Sequence, residues 1–150
     1  PLETQPSKPP STPTPSRVSA LKEGAYGSDA LFVHMLGKEA RRRIVEVLVE
    51  GRSLREAAEL LGVTPAAVSK YLSGRTHPSD RVVERALRAA SSGERRLMAQ
   101  VVVEEYVIGL SSLVDWLLEE GLADRRLARA LEEAAAKLRL ASARGRQVLL

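Results

Sequence analysis

The run Ser53-Leu54-Arg55-Glu56, followed by Gly62 and then Val63-Thr64-Pro65, constrains the folding of this chain more than any other stretch. A serine three residues ahead of a glutamate, just before an apolar run, is a capping box. The hydroxyl accepts the third amide of the new helix, and the glutamate reaches back to the cap amide. The spacing predicts a helix from there to about Leu61, with Leu54, Ala57, Ala58 and Leu61 turned inward. Gly62 supplies the left-handed backbone of a tight turn, and Val63 fills the corner. Thr64 caps a second helix, and Pro65 takes its first position, where the missing N–H removes no bond. That helix continues through Ser73, and Gly74 stops it. A small residue at Ala58, the turn glycine and Val68 together fix two helices at a close crossing. Val68, Tyr71 and Leu72, at i, i+3 and i+4, face the core.

The outer face of the second helix is then Ala66, Ala67, Ser69, Lys70 and Ser73, with Thr64 at its tip. These side chains are short, so the backbone can enter a groove about 12 Å wide. A purely structural helix pair more often shows long charged residues outward. Charge points the same way. The net charge is +4, and all of that excess falls within residues 37–91, whereas the segments on either side are neutral. Such a distribution is the footprint of a surface that meets phosphates, although a solvated charged face produces the same count.

The stretch from Gly62-Val63-Thr64 through Val68-Ser69 and Gly74-Arg75 to Pro78-Ser79 resembles the lambda-repressor-like, Cro/XRE-type regulators. In that family a G-V-[ST], a V/I-S, a G-[RK] and a P-S recur in this order, and an apolar helix follows, here Val82, Val83, Ala86 and Leu87. The resemblance covers about residues 38–91, and the Val68-Ser69-Lys70-Tyr71-Leu72 run is similar to archaeal members. It implies an all-α helix-turn-helix domain whose second helix lies in the major groove of double-stranded DNA. Family members often carry Gln after the capping residue, where it pairs with adenine; here that position is Pro65. Base reading is therefore assigned to Thr64, Ala66, Ser69 and Lys70. Only Lys70 among them makes a strong contact with guanine acceptors. Phosphate contacts are assigned to Arg52, Arg55, Ser73, Arg75 and His77, each in competition with plain solvation.

The remainder of the chain divides by composition. Residues 1–16 are rich in Pro, Ser and Thr and are expected to be disordered. Residues 17–36 form an extension of uncertain structure, in which Leu31, Phe32, Val33 and Leu36 can pack on the next helix. Residues 37–91 are the helix-turn-helix domain, opening on a helix over about 38–50 with Ile44, Val47 and Leu48 apolar. Arg41, Arg42 and Arg43 near its start oppose the helix dipole, which suits either a phosphate neighbour or solvent. Residues 92–150 are expected to form a helical hairpin of two helices, about 92–120 and 123–142. The first has an apolar stripe too wide for one exposed helix, with Tyr106 and Trp116 expected in the core. The second carries Leu127, Leu131, Ala134, Leu138 and Ala141 as a narrower, coiled-coil-like seam. Its surplus apolar surface points to a homodimer through 92–150, which also suits binding to two half-sites.

Other chemistry finds little to work with. There is no cysteine and only two histidines, His34 and His77, so no metal and no cofactor is expected. Adjacent carboxylates such as Glu104-Glu105 point about 100° apart on a helix and suit solvent better than acid–base work. The chain is not expected to be an enzyme. Without a long uncharged apolar run or a basic-then-apolar leader, a cytoplasmic, nucleoid-associated protein with no membrane contact is expected. The function expected is a sequence-specific DNA-binding transcription regulator. The alternatives are a DNA-binding adaptor in partition, replication or nucleoid organisation, and a protein-interaction module that does not bind DNA.

Overall fold

The computed structural model describes residues 31–145. The expected disorder of 1–16 and most of the 17–36 extension lie outside these residues. Seven helices follow one another: α1 (Leu31–His34), α2 (Lys38–Val49), α3 (Leu54–Leu61), α4 (Pro65–Leu72), α5 (Asp80–Ala89), α6 (Ser92–Glu119) and α7 (Arg125–Ala143). No strand occurs among the described residues, and the all-α class expected from the sequence stands.

Local chemistry sets most of the boundaries. The Glu56 amide donates to Ser53 Oγ at 3.2 Å and the Ser53 amide to Glu56 Oε2 at 2.7 Å, completing the predicted capping box of α3. Gly62 ends α3 at φ 68°, a left-handed conformation that any side chain would strain. A Cβ there would also lie 2.7 Å from the Arg85 guanidinium. Thr64 Oγ1 accepts the Ala67 amide at 3.1 Å and opens α4 behind Pro65. Ser79 caps α5 in the same way. Ser91 and Glu94 form a second capping box at the head of α6, which the sequence spells as Ser91-Ser92-Gly93-Glu94.

The core is one cluster. Helix α2 lies at its centre, packed against α4, α5 and α6, while α3 packs on α4 and α5. Ile44, Val45 and Leu48 of α2 meet Ala58, Leu61, Val68, Val83 and Ala86, and all are buried. The cluster extends beyond 37–91: Val33 and Leu36 join from the N-terminal side, Met98 and Val101 from α6. Leu54, expected inward, is 41% exposed because it lies in the first turn of α3, outside this cluster. Tyr71 and Leu72 are half-buried rather than enclosed.

The three consecutive arginines of α2 do three separate structural jobs. Arg41 is buried, and its guanidinium donates to the carbonyls of Leu36 (2.8 Å), Pro78 (3.1 Å), Val33 (2.8 Å) and His34 (3.2 Å). It also donates to Asp80 Oδ1 at 2.6 Å, and His34 Nδ1 lies 2.9 Å from the other oxygen of that carboxylate. Burial would raise the Asp80 carboxyl, but the hydrogen bonds from His34 and Arg41 outweigh it and hold the group below 3.8. Arg42 bridges Glu39 and Glu46 on its own helix, and Arg43 reaches Glu104 of α6 at 2.9 Å. The expectation of a phosphate neighbour or free solvation for this triplet is corrected: each arginine is engaged within the fold.

Arg52, between α2 and α3, pairs with Glu94 at the head of α6, its Nη2 donating to Glu94 Oε2 at 3.1 Å. The Glu94 carboxyl is held down to about 2 from 4.5, first by Arg52 and next by the Ser91 amide. A carboxyl depressed in the folded state adds stability above pH 4.5 that is lost as pH falls toward about 2. Glu94→Gln is expected to flatten the fall of unfolding free energy across that window, followed by urea denaturation. A slope equal to that of the natural chain would contradict the assignment.

Helix α6 is fixed at its proximal half. Besides the Arg43 pair, Glu105 Oε1 accepts the Gly37 amide at 2.9 Å, and the Tyr106 hydroxyl donates to the Phe32 carbonyl at 2.8 Å. By length and composition alone α6 could cross a membrane, with a window of mean hydropathy 1.5, and only 11% of that window is buried in the fold. The distal half leaves the cluster. Trp116 is 51% exposed and Tyr106 39%, so neither takes the core position expected of it. Helix α7 follows the turn at Gly121, buries no residue, and has no extensive packing against any other helix.

Candidate nucleic-acid interface

The outer face of α4 follows from what its inner face must do. Val68 is buried against α2 and α3, so the residue two before it, and those one and two after it, turn away. Ala66, Ser69, Lys70 and Ser73 recur at three- and four-residue steps and are all exposed, as are Thr64 and Pro65 at the start. Ala67 lies at the margin, half-buried. Four predicted base-reading residues, Thr64, Ala66, Ser69 and Lys70, therefore share one exposed surface. Thr64 Oγ1 accepts the cap bond from the Ala67 amide there, which leaves its O–H free to donate outward.

The end of α4 is wound tightly. The Arg75 amide donates to the Lys70 carbonyl at 3.0 Å and Ser73 Oγ donates to the same oxygen at 3.2 Å. Gly74, at φ 72°, allows this reversal. It delivers Arg75, Thr76 and His77 to an exposed loop beside the C-terminal end of α4. Pro78, buried, then anchors the loop, and its carbonyl is held by Arg41. The buried guanidinium thus sets the position of a loop whose own cations stay free. The side chains of Lys70, Arg75 and His77 have no hydrogen-bond or ion-pair partner among the described residues.

The predicted phosphate contacts separate in the structure. Ser73, Arg75 and His77 gather at the end of α4. Arg55 is exposed in the first turn of α3, without a side-chain partner among the described residues. Arg52 lies apart from them, joined to Glu94 and to the Leu48 carbonyl. Sequence reasoning passed over two further cations: Lys38 and Arg81 line an open cleft of about 580 Å³ together with His34, His77 and Ser79. Their positions, one at the head of α2 and one in the first turn of α5, give no sign of meeting until the fold brings the helix ends together.

The arrangement can dock a small-residue helix in a groove and hold flanking phosphates with Arg75, His77 and Arg55. Among the described residues, that surface carries no Asp or Glu. No curated protein and no solved structure matches the chain. A family model described as a helix-turn-helix domain matches residues 16–98, more than half of the length, and includes α1 to α5 and the start of α6. The matched span supports DNA as a partner, and the chain belongs to the helix-turn-helix domain family.

Proposed function

We propose that this protein is a sequence-specific regulator of transcription of the Cro/XRE type, cytoplasmic and nucleoid-associated, binding double-stranded DNA as a homodimer through residues 92–150. The observation that carries the reading is the outer face of α4, where short side chains run unobstructed into the unpartnered Lys70, Arg75 and His77. A two-fold dimer would present two such helices to half-sites one helical turn apart. The long exposed reach of α6 and α7 favours a second reading, an adaptor in partition or nucleoid organisation that recruits another protein. Sequencing of genomic DNA bound to the protein separates the two. A regulator occupies a few discrete sites, whereas an adaptor that coats DNA gives broad coverage.

Lys70→Ala is expected to relax base preference at one position of the site, at a cost of about 1–3 kcal/mol against the preferred base. Binding measured on a panel of single-base variants checks this. Uniform weakening on every duplex would place Lys70 on phosphate instead.

A further inference from the structure

Charge is unevenly divided between the last two helices. Residues 97–124 contain six acids and no Lys or Arg, whereas residues 125–144 contain six Arg or Lys and two acids. Two of the six acids, Glu104 and Glu105, are engaged with α2 and Gly37, and Asp124 caps α7. Asp115, Glu119 and Glu120, toward the end of α6, have no ion-pair partner among the described residues. The cations of α7 are equally idle: Arg126 meets only its neighbour Asp124, at 3.2 Å, and Arg125, Arg129 and Lys137 meet nothing among the described residues. Opposite charges on helices joined by a short turn are thus not combined among the described residues.

The apolar surface is in the same condition. Beyond Tyr106, helix α6 is apolar around most of its circumference, apart from one polar stripe of Ser111, Ser112, Asp115 and Glu119, with Val107 at 56%, Ile108 at 70% and Leu118 at 67% exposure. An apolar face this wide has to be covered on more than one side. Its own α7 does not do this, since α7 buries no residue and packs extensively on nothing.

We infer that two copies of the chain associate reciprocally, the acidic distal half of α6 in each copy lying against the basic α7 of the other. A surface that carries both signs is complementary to itself, and a two-fold axis uses each contact twice. Two helices from each copy form a four-helix arrangement around the apolar faces of α6, the geometry that covers such a helix on several sides. The available length suits it: α7 spans about 28 Å at 1.5 Å per residue, more than the stretch of α6 from Val107 to Glu119. The inference rests on the dimeric reading above and specifies which faces meet.

Sedimentation velocity of the full chain tests both, with two charge-reversed variants, Glu119→Lys/Glu120→Lys and Arg125→Glu/Arg129→Glu. These residues are exposed or outside the core cluster, and circular dichroism monitors their helicity. The natural chain is expected to be a dimer, and each variant alone to dimerise at least about tenfold more weakly. Mixed one to one, the variants are expected to form a heterodimer as tight as the natural dimer or tighter, because reversed α6 then faces reversed α7 in one of the two contacts while the other keeps its natural signs. Weakening of the natural dimer by high salt gives a readout that needs no variant. A monomeric natural chain overturns the dimer itself. A natural dimer that ignores salt and both reversals, or variants that fail to rescue each other when mixed, overturn the reciprocal pairing while leaving the dimer in place.

Discussion

Replacing Arg41 by alanine is expected to lower the unfolding free energy by about 3 kcal/mol, a large effect for one charged side chain. The guanidinium makes five hydrogen bonds, and four of the acceptors are the backbone carbonyls of Val33, His34, Leu36 and Pro78. Its removal strips partners from buried acceptors, each at a cost of about 1–3 kcal/mol where water cannot replace the donor. The His34 contact keeps Asp80 from being stranded, which limits the loss. Denaturant unfolding checks this: the midpoint should fall with the slope unchanged, as for a loss of stability without a change in compactness. Arg41→Lys should recover little, because an ammonium cannot reproduce the planar fork that meets carbonyls in several directions. A loss well below 1 kcal/mol for the alanine variant would mean that α1 and the Pro78 loop are held by other contacts.

How much of this was legible in the sequence depends on the range of the interaction. The Ser53 box, the Gly62 turn, the Thr64–Pro65 start and the Gly74 stop are satisfied within three or four residues, so the chain spells them locally. The exposed face of α4 was legible for the same reason, because a buried Val68 dictates which neighbours turn outward. Arg41 was not. Its spacing to Ile44, Val45 and Leu48 places it on the buried stripe of α2, but grouping it with Arg42 and Arg43 as one charged cluster hid that periodicity. The donors that make its burial tolerable find acceptors up to 39 positions away, which no local pattern records. Arg52 is similar, since its partner Glu94 lies 42 positions on. The apolar stripe around Trp116 announced a face that requires covering, and nothing in a stripe says which molecule covers it. Charge summed over a segment hid the division between α6 and α7, whose opposite excesses cancel.

The central claim is that α4 docks on duplex DNA, and Ser69 is its most direct probe. Ser69 lies one turn from Ala66 and Ser73 in the middle of the exposed face and makes no side-chain hydrogen bond among the described residues. Ser69→Glu adds a long carboxylate there. Against a groove walled by phosphates, a like charge costs several kcal/mol, whereas on an exposed helix face it changes stability by about 0.5 kcal/mol or less. Binding is expected to fall by at least about 100-fold while the unfolding midpoint scarcely moves.

The decisive measurement is a titration of a duplex DNA carrying a site recovered from the genome, with the natural chain and the Ser69→Glu variant, over a series of salt concentrations. The logarithm of the natural affinity is expected to fall linearly with the logarithm of salt, as Arg75, Arg55 and Lys70 displace counterions. The variant should bind at the weak, sequence-independent level throughout. An affinity that is flat with salt, and equal for the two proteins, would show that this helix-turn-helix does not meet DNA through α4.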